Sequence, residues 1–212
     1  MRTTIVAVLL LVLALPAAAQ DESTWNFLRE GYGFFEGTTV GAIGKLEPVQ
    51  SENPPLVFDF EAAEVTWAML DMEIVSESTV GDLTFWEMTG GTVAIYEDPA
   101  FDLDYGASPA AGLPTATNGT AVLTGPVLHA EMFFNNASGV GSITGDMDFT
   151  GGTRYAELEA LGLDDAEWHF NDPMSADASV PAGYHARWAG RITGILTIAA
   201  EDCTWTRVRA LY

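Results

Sequence analysis

The densest chemistry in the chain is the run Asp98-Pro99-Ala100-Phe101-Asp102-Leu103-Asp104. Three carboxylates in one short loop offer the hard oxygens that Ca²⁺ takes from irregular backbone. Asp98, Asp102 and Asp104 are therefore the candidate metal ligands, with Ca²⁺ as the ion and Glu97 and backbone carbonyls as further donors. The glycine and the bidentate glutamate of an EF-hand loop are missing. The plain alternative is a solvated acidic loop that opens on an Asp-Pro turn.

The three histidines, His129, His169 and His185, each fall on the polar phase of an alternating segment. They form a metal set only if those segments are neighbours; otherwise they are surface histidines. Nucleophile signals fail: Val140 and Thr144 stand where Gly-x-Ser-x-Gly around Ser142 needs glycines. Cys203 is the single cysteine, so no internal disulfide exists, and it has no evident His partner. Phosphate-loop and dinucleotide glycine patterns are absent. The acid pairs Asp164-Asp165 and Asp146/Asp148 suit glycoside hydrolysis only at a fixed separation across a cleft. No residue is assigned a catalytic role, and no cofactor-binding residue is named.

The net charge narrows the partners. The chain has 212 residues and carries 30 acidic against 8 basic side chains, a formal charge of −22. Between Lys45 and Arg154 there are seventeen acids and no Lys or Arg. Nucleic acid and anionic membrane surfaces need a basic stripe, so both are excluded as partners. The expected ligand is extracellular, a carbohydrate or a protein. At 48% hydrophobic residues the chain can bury a core.

The elements that must position these groups are strands. Ile143, Met147 and Phe149 alternate with Ser142, Thr144, Asp146 and Asp148. Trp168 and Phe170 alternate with Glu167, His169 and Asn171, and Trp188 and Ile192 with Arg187 and Arg191. A period of two is what a half-buried antiparallel strand requires. Further strands are expected at Pro55–Phe60, Gly81–Met88, Thr92–Tyr96, Thr120–Thr124, Val127–Phe134 and Thr204–Leu211. In Glu64–Ser76 the apolar phase changes near Met69–Leu70. That calls for a one-residue bulge or a corner between sheets. Trp86 falls out of phase with Leu83 and Phe85: either it is exposed, where an indole stacks on a sugar, or the strand is buried on both faces, which is the favoured reading. Thr153–Leu161 and Ser23–Glu30 read as short helices, and Asp98–Asn118 and Asp172–Ala182 as long loops. Gly90-Gly91 and Asn118-Gly119 suit tight hairpins. The fold class is all-β, a single antiparallel barrel or sandwich of about ten strands with one or two short helices.

Residues 1–19 have the form of a secretory signal peptide. Arg2 precedes an apolar run from Ile5 to Leu15, Pro16 breaks it, and Ala17–Ala19 offer a cleavage site. The run is short for the ~30 Å of a bilayer core. Residues 20–212 then form one β-rich domain, secreted or held in the periplasm or cell envelope.

The stretch 91–104, GTVAIYEDPAFDLD, resembles a recurring segment of bacterial secreted β-rich proteins of unknown function. In that segment a strand ending in Ile-Tyr-x-Asp precedes an acidic loop, and a Gly-Thr-containing strand follows, here 118–125. Many of these proteins carry a PEP-type C-terminal sorting tail; no Pro-Glu-Pro motif stands in this sequence. The resemblance implies an extracytoplasmic β-domain and carries no activity with it.

Three functions fit the pattern. The first is an exported binding module or structural component of a surface matrix. The second is a small outer-membrane β-barrel, whose apolar phase would meet lipid. The third is a polysaccharide-acting hydrolase using paired carboxylates.

Overall fold

The computed structural model describes residues 22–48 and 53–197. The leader expected at 1–19, Cys203 and the strand expected at Thr204–Leu211 lie outside these residues. The described residues form nine strands: β1 (Glu22–Glu36), β2 (Thr39–Leu46), β3 (Glu64–Val80), β4 (Leu83–Thr89), β5 (Thr92–Asp98), β6 (Thr120–Asn135), β7 (Val140–Met147), β8 (Glu167–Ser175) and β9 (Ala186–Thr197). Among the described residues two short helices accompany them, α1 (Pro109–Thr117) and α2 (Tyr155–Ala160).

The strands form a closed antiparallel barrel of eight, with β5 as an extra strand. β2 pairs with β3, and β1 lies between β2 and β9, so no edge is left open around the circuit. β4 and β5 are collinear. Both lie between β3 and β6: Leu83–Thr89 faces Val80–Glu73, and Thr92–Asp98 faces Leu70–Glu64. Gly90-Gly91 therefore joins two halves of one wall instead of turning a hairpin. Its positive φ values (68° and 96°) absorb the kink where Asp71 bulges from β3 at φ 61°. The bulge is the phase change expected near Met69–Leu70. Val65, Trp67 and Met69 are buried before it and Met72 after it, so the extra residue returns the apolar side chains to the interior.

The inside is apolar and the outside polar. Trp168, Phe170 and Met174 of β8 and Trp188 and Ile192 of β9 are buried. Glu167, Asn171, Arg187 and Arg191 on the alternate phase are exposed. Large inward rings are accommodated by inward glycines. A Cβ on Gly33 would strike the Trp188 indole, one on Gly31 would come within 2.7 Å of Trp67, and one on Gly194 within 2.8 Å of Trp168. Small residues facing large ones let eight strands close around a filled interior.

Four expectations change. Ser23–Glu30 belongs to strand β1: Phe27 and Arg29 are buried and Gly31 and Gly33 continue inward, a period-two pattern hidden by an arginine and two glycines. Pro55–Phe60 is not a strand but an irregular segment that inserts Leu56 and Phe58 into one end of the barrel, with Val57 exposed. The stretch expected as a loop from Asp98 to Asn118 contains α1. Pro109 opens that helix, and Thr66 Oγ1 donates to the Ala116 carbonyl at 2.7 Å, fixing it to the outside of β3. Asp172–Ser175 completes β8. The helix expected at Thr153–Leu161 is α2, with Leu158 buried.

Candidate functional site

One end of the barrel is filled and the other is hollow. At the filled end Phe27, Phe149 and Trp168 form a cluster with ring centroids 5.0–6.4 Å apart. Phe58 from the 53–63 segment joins it at 6.1 Å from Phe27. Arg154 clasps this end. It donates to Glu97 (2.9 Å), Glu157 (2.7 Å) and the Val57 carbonyl (3.1 Å), and its guanidinium lies 5.1 Å from the Phe58 ring centre. The bond from Arg154 holds the Glu157 carboxyl below its ordinary range.

At the other end a cavity of about 400 Å³ opens between the hairpins. Its lining includes Phe35 of β1, Val40 of β2, Ile74 of β3, Trp86 of β4, Met132 and Phe134 of β6, and Trp188 of β9. Phe35 and Trp86 stand 5.6 Å apart, and His185 meets Phe35 edge-on at 4.9 Å. Polar groups are few. Glu77 Oε2 accepts the Trp86 Nε1 hydrogen at 3.2 Å, and Asn136 donates to Thr84 Oγ1 at 3.0 Å and the Asp82 carbonyl at 3.2 Å. A concave, largely apolar space with a few polar groups is the usual form of a small-molecule site.

Deeper along β1 and β8 lies a buried ion pair. Arg29 Nε and Nη2 donate to the two oxygens of Asp172, at 3.1 and 2.5 Å, and both side chains are 0% exposed. The guanidinium lies 4.2 Å from the Trp67 ring centre and 5.5 Å from that of Phe170, and Nη1 contacts Met69 Sδ. Burial pushes the Asp172 carboxyl up, against the pull of Arg29. Gly190 makes the room: a Cβ there would come within 2.7 Å of Asp172 Oδ1. With both hydrogen-bonding edges of the pair joined, Arg29 is committed to Asp172 as a two-pronged partner.

Trp86 faces inward, which removes the exposed alternative, while the strand as a whole is buried on one face only. β4 buries Thr84 and Met88, so Trp86 shares their phase, and Phe85 is the outward ring. Phe85 and Phe133 sit opposite each other on the outer wall, each 41% exposed, with ring centres 6.4 Å apart.

Asp98, Asp102 and Asp104 are engaged separately. Asp98 is 4% exposed; its Oδ1 accepts from the Ala100 amide at 2.9 Å, while Oδ2 is buried with no hydrogen-bond partner among the described residues. Asp102 accepts from Asn118 Nδ2 at 3.1 and 3.2 Å, and Asp104 from the Gly106 amide at 2.8 Å. Among the described residues no group of three His, Cys, Asp or Glu side chains is placed to hold a metal ion. The histidines divide. His129 of β6 and His169 of β8 flank Asp146 of β7 on the outer wall, with His169 Nδ1 2.6 Å from Asp146 Oδ1, whereas His185 is at the cavity. The acid pairs do meet: Asp146, Asp148, Asp164, Asp165, Glu167 and His169 line one shallow outer depression. Partial burial raises the Asp148 carboxyl.

Arg29 and Phe35 escaped sequence reading. The signal for both was the alternation Phe27, Arg29, Gly31, Gly33, Phe35, in which only the first and last are apolar and bulky. Comparison with protein-family models, with curated proteins and with solved structures finds no match to this chain.

Proposed function

We propose that the protein is an exported binding module whose barrel mouth receives a small apolar ligand. The observation that carries this reading is the cavity of about 400 Å³ walled by Phe35, Trp86, Phe134 and Trp188 and lying outward of the Arg29–Asp172 pair. Burying apolar ligand surface there gains about 25 cal/mol per Å² before the costs of association. The outer wall supports a water-facing barrel. Glu131, Asp146, Glu167, Asn171 and Arg191 face outward, and on a lipid-facing strand an Arg costs about 2–4 kcal/mol near the bilayer midplane, with a smaller penalty for Asp and Glu. Export rests on the leader at residues 1–19 and on the segment resemblance.

The test is a titration with a neutral apolar fluorophore, N-phenyl-1-naphthylamine, read by probe emission. Saturable binding to the wild type, abolished by Ile74→Trp with the circular dichroism unchanged, is the expected result. Equal binding to both proteins would overturn it.

A second reading, a polysaccharide-acting hydrolase, draws on the outer depression, where a carboxyl raised by burial (Asp148) shares the lining with Asp146, Asp164, Asp165 and Glu167; glycosidases use two carboxyls in unlike environments. Its test is reducing-end release from a polysaccharide panel. Turnover lost in Asp148→Asn supports it, and no turnover by the wild type removes it.

A further inference from the structure

Resting on the cavity reading above, we propose that the mouth selects an apolar organic cation, an aryl or alkyl ammonium group, with Glu77 as its counter-ion. Three observations converge on a positive ligand. First, the carboxylate of Glu77 lines the cavity beside the Trp86 indole, from which it accepts one hydrogen bond at 3.2 Å. A carboxylate has about four acceptor positions, so capacity remains for an ammonium. Second, four aromatic side chains, Phe35, Trp86, Phe134 and Trp188, line the same space. The ring quadrupole attracts a cation within about 6 Å of the centroid, and Trp does so most strongly. Third, an anionic head group finds no Lys or Arg to pair with. Among the described residues no Lys or Arg lines the cavity, and Arg29, the buried cation deeper in the barrel, is already joined to both oxygens of Asp172.

The wider field acts in the same direction. Ile74, Glu77, Trp86, Met132, Phe134 and Asn136 all come from the stretch between Lys45 and Arg154 that contains no basic residue. A mouth walled by such a stretch concentrates cations and repels carboxylates at low salt. His185 is the lining residue that can carry opposing charge, and its ring stands edge-on to Phe35 on the β9 side.

The experiment uses three probes of one shape: benzyltrimethylammonium, its neutral isostere neopentylbenzene, and the anion phenylmethanesulfonate. Each is titrated into the full chain at low ionic strength and followed by tryptophan emission, in the wild type and in Glu77→Gln. Gln keeps an acceptor for Trp86 and removes the charge. The cation is expected to bind about tenfold more tightly than the neutral isostere, and the anion most weakly. Glu77→Gln is expected to weaken the cation about threefold to tenfold and leave the neutral isostere unchanged. If the neutral probe binds as well as the cation, or Glu77→Gln leaves the cation unaffected, cation selection is overturned while the apolar cavity stands. If none of the three binds, the cavity reading falls with it.

Discussion

The two ends of this barrel use the same kinds of side chain to opposite effect. At one end Phe27, Phe58, Phe149 and Trp168 meet ring to ring and fill the space; at the other Phe35, Trp86, Phe134 and Trp188 surround a hollow. Composition does not decide which end is sealed; connection length does. The filled end receives long connections, the described residues 53–63 leading into β3 and 148–166 between β7 and β8. These bring Leu56, Phe58, Phe149, Leu158 and Leu163 into the core. The hollow end is spanned by tight hairpins at 37–38, 81–82 and 136–139, which have no residues to spare for a lid. Its one longer connection, 176–185, sends Tyr184 to the outer face, where its hydroxyl donates to the Tyr105 carbonyl at 3.1 Å and its ring meets Phe34. Among the described residues, therefore, nothing covers the mouth.

The ion pair divides the two ends, and breaking it is expected to have the largest effect. Arg29→Leu leaves Asp172 buried and unpaired and should cost about 3–5 kcal/mol in urea unfolding. The double variant Arg29→Leu with Asp172→Leu should recover most of that loss, because two packed apolar groups carry no desolvation penalty. A double variant no more stable than the single would show that the pair is more than a mutual neutralisation.

Removing a ring at each end sharpens the contrast. Phe149→Ala, wholly inside the filled cluster, should cost about 3–5 kcal/mol while leaving probe binding at the mouth unchanged. Trp86→Ala at the half-exposed rim should cost about 1 kcal/mol and remove most of the probe affinity. The reverse pattern would mean that the ends have been assigned the wrong way round.

Releasing the clasp should act only on the filled end, and less strongly. Arg154→Gln loses exposed charge pairs and should lower stability by about 1 kcal/mol or less. Acid should act in the same place. The Glu157 carboxyl is held below its ordinary 4.5 by Arg154, so its contribution is present above that value and is lost as the pH falls through the lowered one. Tm is expected to fall below pH 4.5 in the wild type and to fall less in Arg154→Gln, where the lowered Glu30 and Asp177 carboxyls still contribute.

How much of this was legible in the sequence differs between the two ends. The alternation in β7, β8 and β9 predicted which residues face inward, because polar side chains fill most of the opposite phase and large apolar ones mark the inward phase. The bulge was legible at the Met69–Leu70 phase change for the same reason. β1 was misread because the barrel interior holds an arginine and two glycines there. Hydrophobic periodicity cannot register a charge satisfied by a partner 143 positions away, nor a glycine that makes room for a distant indole. The filled end was half legible: Pro55–Phe60 showed its alternation, but the alternation serves a plug and not a ladder. The mouth was not legible, since Phe35 and Trp86 come together only through the closure of the barrel.

The most direct measurement is a crystal structure of the protein soaked with a brominated aromatic probe, with the bromine located by its anomalous scattering. The account predicts one principal site, between Phe35, Trp86, Met132 and Trp188 at the mouth. Bromine at the Phe149 cluster or on the outer Phe85–Phe133 pair, with none in the mouth, would contradict it.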